Sequence, residues 1–241
     1  MIPSDRLAHT SRWRKRALAE KALLSLGLLV LALALPPWPG AALVLAAAIA
    51  CSVTAGTPLG ALVRLAAGPL AFILTGAATL TVQGGPEGLH FSQAGAHQAG
   101  LLVLRSLAAV SALLLLTVTT PASDLVQGLR RLGLPAEVAE VALTTYRLLF
   151  VLLDTAAAIH TSQEARLGTV GWRRRIRSTG LLLGNLLPRA LDRARRLELG
   201  LAARGFDGSL RTLSPARPVR PANMAIIAML LIALGGAGLW I

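Results

Sequence analysis

A single cysteine, Cys51, stands in 241 residues, which excludes an internal disulfide and every C-x-x-C metal or redox motif. It lies among small apolar residues and reads as packing. Charge is scarce as well. Only 15% of the chain is charged, where a soluble domain of this size carries roughly a quarter. Aromatics make up 4%, so the 54% hydrophobic content is mostly Leu, Ala and Val, the residues of packed membrane helices. The only lysines, Lys15 and Lys21, follow Arg14 and Glu20, so there is no G-x-x-x-x-G-K loop and the chain does not hydrolyse ATP by itself. No Ser/His/Asp or paired-carboxylate arrangement stands out, and Asp124 and Asp154 are too far apart in sequence to argue for a pair. Of the four histidines, His9, His90, His97 and His160, two share one loop, but no cysteine or carboxylate pair accompanies them. The expectation is a non-catalytic chain with no metal and no cofactor of its own.

Acids are outnumbered, eleven against 24 Lys and Arg, giving a formal charge of +13. Such an excess can signal nucleic acid. Here the basic residues alternate with hydrophobic spans and are missing from other loops, which is the pattern of a membrane protein and leaves the lipid bilayer, not nucleic acid, as partner. Mean hydropathy is +0.64. After a basic start (Arg6, Arg12, Arg14, Lys15, Arg16, Lys21), apolar runs read as helical spans over Ala17 to Leu35, Ala41 to Ala55, Leu65 to Val82, Leu101 to Thr119 and Ala222 to Ile241. At about 1.5 Å per residue these approach a hydrocarbon thickness of about 30 Å, some with help from their flanks. The first run, with Ala32-Leu33-Ala34 behind it, also resembles a cleavable signal, but a second span follows at once and no soluble domain does.

Orientation follows from charge. Six of the 24 basic residues lie at or before Lys21 and sixteen between Pro121 and Arg220, leaving Arg64 and Arg105. The loops Pro36–Gly40 and Gln83–His97 carry none. The positive-inside rule places the N-terminus and residues 121–220 in the cytoplasm. Four spans return the chain to its starting side, so hydropathy and charge agree. The expected architecture is an all-α polytopic membrane protein. It comprises a basic N-terminal segment with four spans (1–120), a cytoplasmic set of amphipathic helices (121–220) and a fifth span (221–241).

Within 121–220, Thr120-Pro121 reads as a cap with proline in the first helical turn, opening a helix that ends at Gly133. Leu134-Pro135 opens another, and with no proline or glycine from Ala136 to Gly168 a single long helix is expected. Arg147 and Asp154 share a face of it and read as interfacial charges. The basic turn Trp172–Arg177 suits anionic headgroups or a topology anchor equally. A short apolar helix, Leu181 to Leu187, leads to a second helix expected to begin at Pro188. In that helix Arg189, Arg193, Arg196, Gly200 and Arg204 form one stripe, and Leu187, Leu191, Ala194, Leu197 and Leu201 form another. Gly205 and Gly208 supply the stop. A basic stripe broken by small residues is a surface that another protein can approach closely. A helix facing solvent or headgroups gives the same pattern.

The ordered succession T-T-P-A-S-D-L-V-Q-G-L-R-R-L-G-L-P (Thr119 to Pro135), T-Y-R (Thr145 to Arg147), E-A-R-L-G and A-A-R-G-F-D-G closely resembles the transmembrane T component of energy-coupling-factor (ECF) transporters. The N-terminal D-R-L-A-H-T-S-R-W-R and K-A-L-L-S resemble its CbiQ branch, which serves cobalt and nickel uptake. The resemblance covers nearly the whole chain. It implies a coupling subunit in a bacterial inner membrane, working with two ABC ATPase subunits and a small CbiM-like membrane subunit that binds the substrate. In that family two motifs built around Ala-Arg-Gly end the coupling helices and dock on the ATPases. Ala203-Arg204-Gly205 matches the second. Ala165-Arg166-Leu167 stands at the first, with leucine in place of glycine and Gly168 one step later.

Two other classes stay open on the residues alone, along with a T component serving a vitamin instead of a metal. A self-sufficient permease needs polar groups inside its spans; the first three spans offer almost none, and Arg105 stands alone in the fourth. A membrane-embedded enzyme needs a catalytic pair facing the cytoplasm, and none is visible.

Overall fold

The computed structural model describes residues 3–85, 88–206 and 218–240. Among these the chain is helical except for one hairpin: α1 (Pro3–Thr10), α2 (Leu18–Ala34), α3 (Ala42–Thr54), α4 (Leu59–Thr81), β1 (Val82–Gly85), β2 (Gly88–Phe91), α5 (Gln93–Thr119), α6 (Ala122–Arg131), α7 (Ala136–Ala165), α8 (Trp172–Ala202) and α9 (Pro221–Trp240). Contacts separate two units. One contains α1 to α5 and α9; the other begins at Val126 and contains α7 and α8.

The first unit is organised around α5, against which α1, α2, α3 and α4 all pack. Its buried residues recur at helical spacing: Leu24, Leu28, Ala32 and Leu35 from α2 and the turn after it, Val44 and Ala48 from α3, Ala108, Ala112 and Leu115 from α5. Alanine at so many of these positions lets backbones approach, which is how helices gain contact where lipid removes the hydrophobic drive. Helix α9 closes on α2 by the same means, since a side chain at Gly27 would run into Leu231. At Gly238 a Cβ would lie 2.7 Å from Leu35 Cδ1.

Polar side chains in this unit tie helix ends. Lys21, 3% exposed, donates from Nζ to the carbonyl of Thr119 at 2.9 Å. Its neighbour Glu20, 2% exposed, accepts from the backbone N–H of Arg220 at 3.0 Å and from Asn223 Nδ2 at 3.1 Å. Both signs are right. The ammonium meets the C-terminal, negative end of α5 and the carboxylate meets the N-terminal, positive end of α9. Glu20 thereby does from another helix what the glutamate of a capping box does from its own third position, here held by Asn223. At the far end of α2, Arg105 Nη2 donates to the carbonyl of Leu35 at 2.7 Å. Its charge is spent on a helix C-terminus, which accounts for the lone arginine of the fourth span. Between these ties Ser25 Oγ donates to the carbonyl of Ala112 at 2.5 Å.

Several expectations are corrected. Among the described residues five helices are long and apolar enough to cross a membrane: Pro37–Thr54, Leu59–Thr81, Gln93–Thr119, Ala136–Ala165 and Pro221–Gly238. The count is the expected one but the set is not. Helix α7 qualifies through its apolar middle, whereas α2 has 17 residues and is stopped by Leu35-Pro36. The segment expected as loop between the third and fourth spans forms an antiparallel hairpin pairing Val82 with Phe91 and Gly85 with Gly88. Helix α5 then starts well before Leu101 because the Ser92 side chain caps it, accepting from the N–H of Gly95 at 3.1 Å. Thr120 does not cap α6. Its hydroxyl is buried without a partner among the described residues, and Pro121 supplies the first carbonyl, to the N–H of Asp124 at 3.0 Å. Gly208, the second of the two expected helix stops, lies outside the described residues.

The largest correction is α8. No helix begins at Pro188; one of 31 residues runs from Trp172 to Ala202 with Pro188 inside. The basic turn Trp172–Arg177 and the apolar stretch before the proline are its first half. Proline removes one hydrogen bond, to the carbonyl of residue 184, and its ring crowds that carbonyl. Residue 184 is a glycine, and the helix continues through the proline to Ala202.

Candidate functional site

The seven residues singled out at Ala165–Gly168 and Ala203–Gly205 end the two long helices of the second unit. At the end of α7 the N–H of Gly168 bonds to the carbonyl of Gln163 at 2.8 Å, and the N–H of Leu167 bonds to Glu164 at 2.9 Å. At the end of α8 the N–H of Phe206 bonds to Leu201 at 3.1 Å, and the N–H of Gly205 bonds to Ala202 at 3.1 Å. Each pair, one bond spanning six residues and one nested within it, is a Schellman cap. The two motifs are therefore built alike. In each, an alanine and then an arginine lead to a residue that turns left-handed, Leu167 at φ 57° and Gly205 at φ 70°; the helix proper ends at Ala165 in the first and at Ala202, one residue earlier relative to the motif, in the second.

This settles how the leucine variant of the first motif is accommodated. Leu167, not Gly168, occupies the left-handed position, at a backbone cost of about 1–2 kcal/mol that glycine does not carry. Gly168 serves a different need. A Cβ there would lie 3.0 Å from the carbonyl oxygen of Gln163 and 3.0 Å from Ser178 Oγ. The first contact is the cap bond's own acceptor, and the second belongs to two bonds that stitch the turn to α8: Gln163 Nε2 donates to the carbonyl of Ser178 at 2.9 Å, and Ser178 Oγ donates to the carbonyl of Gly168 at 2.8 Å. Gln163 and Ser178 were not among the residues read from sequence. Only the short distance from a helix end to the next helix start hinted at them.

Arg166 and Arg204 are exposed, and neither has an ion-pair partner among the described residues. Cationic side chains are favoured at helix C-termini, so their positions cost nothing electrostatically. Each presents a planar set of donors suited to bidentate bonds with a carboxylate. The neighbours Ala165 and Ala203 leave the approach open. Arg189, Arg193 and Arg196 on α8 are likewise exposed, as are Leu187, Leu191 and Leu197 on its other stripe. Both stripes of α8 are thus uncovered in the isolated chain.

Beside the second cap lies an open groove of about 320 Å³. Glu137, Glu140, Val141, Thr144 and Thr145 of α7 line it opposite Leu201 and Phe206. Leu201 and Phe206 are the two positions whose apolar contact commonly accompanies a Schellman cap. The groove escaped the sequence reading because its α7 wall mixes acids, threonines and valine without a clean stripe. Arg147 and Asp154 are both exposed and form no ion pair with each other, consistent with interfacial charges. No cluster of three or more metal-ligating side chains occurs among the described residues, and His97 stands exposed.

Comparison with known sequences adds a family. The profile of the cobalt transport protein CbiQ matches residues 10–214. The chain is 49% identical over 235 residues to the cobalt transport protein CbiQ of Rhodobacter capsulatus, covering 97% of this chain and 96% of that one. It is 33% identical over 222 residues to the CbiQ of Salmonella typhimurium, covering 86% and 98%. A putative fused cobalt transport protein CbiMQ of Methanocorpusculum labreanum is 31% identical over 178 residues, 69% of this chain and 30% of that longer protein.

Proposed function

This chain belongs to the CbiQ family of cobalt transport proteins, and from that premise we propose that it is the non-catalytic transmembrane coupling (T) subunit of an ECF-type importer. A pair of ABC ATPases docks on the tips at Ala165–Gly168 and Ala203–Gly205. Arg166 and Arg204 enter acidic sites on the two ATPase subunits. Helices α7 and α8 carry the nucleotide-driven movement, as rigid bodies, to a small membrane subunit that captures the metal. The observation that carries this reading is the matched pair of caps, two exposed arginines in the same backbone setting at the ends of two long helices. A membrane subunit of the CbiM kind is the partner favoured by the Methanocorpusculum relative, whose name joins M and Q in one chain. The cargo is cobalt, with nickel the nearest alternative.

Charge supports a cytoplasmic coupling region in a bacterial inner membrane. With α2, α3, α4, α5 and α9 as spans, the N-terminal basic segment and the eight arginines of α8 share one side. Adding α7 as a sixth span would send those arginines across. Packing of α2 against α5 and α9, both long enough to cross, supports counting it as a span despite its length.

The test is co-purification and uptake. The chain should copurify with ATPase and CbiM-like subunits and transport no cobalt when reconstituted alone. Arg204→Ala and Arg204→Glu should lose the ATPases from the complex and abolish uptake, with Arg166→Glu behaving alike. A solitary chain that moves cobalt, or an Arg204→Glu complex of normal composition and transport, would overturn the assignment.

A further inference from the structure

We propose that Glu20 and Lys21 form a fixed clamp for the coupling segment, holding the point where the chain leaves the bundle and the point where it returns. The inference rests on the reading of residues 121–220 as that segment. The chain leaves the bundle after Thr119 at the end of α5 and returns at Arg220, just ahead of α9. Lys21 bonds to the carbonyl of Thr119, and Glu20 bonds to the N–H of Arg220 and to Asn223. Two adjacent residues in the first turns of α2 therefore hold both stems. All the groups at the exit are enclosed: Thr119 is 1% exposed and Thr120 2%.

Enclosure matters because an ion buried away from water is held where its partners are. A carboxylate on a helix N-terminus and an ammonium on a helix C-terminus are each matched to the end they touch. Removing Lys21 takes the donor from the buried Thr119 carbonyl, and removing Glu20 takes the acceptor from the half-buried Arg220 N–H and Asn223 amide. If α7 and α8 are pushed, the push does work on a membrane partner only when the stems cannot yield. The clamp supplies that resistance without touching ATPase, metal or partner. Glu20 and Lys21 are positioning residues in this scheme.

Two sets of variants of the full complex test it, with cobalt uptake and ATP hydrolysis measured together in proteoliposomes. Glu20→Gln and Lys21→Met should keep the ATPases bound and hydrolysing while uptake per ATP falls at least five-fold. Lys21→Arg, which keeps the donor, should recover most of it. The second set joins the α2 and α9 stems covalently, using Glu20→Cys with Asn223→Cys in a Cys51→Ala background and a short thiol-reactive bridge. Because the clamp is static, the unbridged double-cysteine protein should lose uptake per ATP as Glu20→Gln does, and bridging, which replaces the lost carboxylate's hold by a covalent one, should restore at least half of normal uptake. Unchanged uptake per ATP in Lys21→Met, or uptake that the bridge does not restore, overturns the proposal. Loss of the ATPases from the unmutated complex would instead strike at the coupling assignment itself.

Discussion

Lys21 and Arg105 hold α2 and α5 in antiparallel register from opposite ends. Lys21 bonds to the carbonyl of Thr119, while Arg105 bonds to the carbonyl of Leu35. Both stretches, 21–35 and 105–119, have equal length, about 21 Å of helix each. Each cation sits at the C-terminus of the other's helix. A slip of either helix by one turn would break both bonds at once.

Arg105→Met should therefore behave as a stability variant. It leaves the Leu35 carbonyl without its donor, costing about 1–3 kcal/mol. The expected result is a melting temperature lowered by several degrees in detergent, with Arg105→Lys intermediate and uptake per folded complex near normal. Uptake lost at unchanged stability would return Arg105 to a transport pathway.

Leu167→Gly should tighten the end of α7. Glycine reaches φ 57° without the Cβ penalty, a gain of about 1 kcal/mol for that cap. Hydrogen exchange at the Gly168 amide, which bonds to Gln163, should slow about five-fold. The converse, Gly205→Leu, should speed exchange at Phe206 by a similar factor.

Gly27→Leu should separate α9 from α2, because the space is filled by Leu231. Overpacking of this kind costs about 1–3 kcal/mol. Gly60→Ala, in open space on α4, serves as the control and should be neutral or gain up to about 1 kcal/mol from helix propensity. Thermal unfolding of the two variants side by side checks the contrast.

How far the sequence could be read depended on whether a signal was local. Proline-bounded apolar runs located α2, α3 and α9 to within a residue or two, but α4 begins six residues before the expected Leu65, on the far side of Arg64, and α5 eight before Leu101, behind the Ser92 cap. Arg204 and Gly205 were legible because a helix stop, a cap residue and a family pattern coincide there. Leu167 was not, since nothing along the chain says that a leucine will turn left-handed; that follows from the bonds to Gln163 and Glu164 on either side. Pro188 misled for the opposite reason. Proline favours a helix start, but α8 carries Pro188 inside it, with helical residues on both sides. Glu20 and Lys21 read as the ordinary edge of a basic segment, because their partners lie about 100 and 200 residues away.

That Thr119 and Arg220 are held by neighbouring side chains has an engineering consequence. The intervening hundred residues behave as a cassette, entering and leaving the bundle through one narrow neck. A flexible Gly/Ser link of ten residues reaches about 17 Å on average. Such a link in place of residues 123–217 should give a miniature of the bundle that still folds in detergent, and the same neck should accept the corresponding segment of a relative. Chimaeras of that design would let the inserted segment and the surrounding bundle of these proteins be exchanged like interchangeable parts.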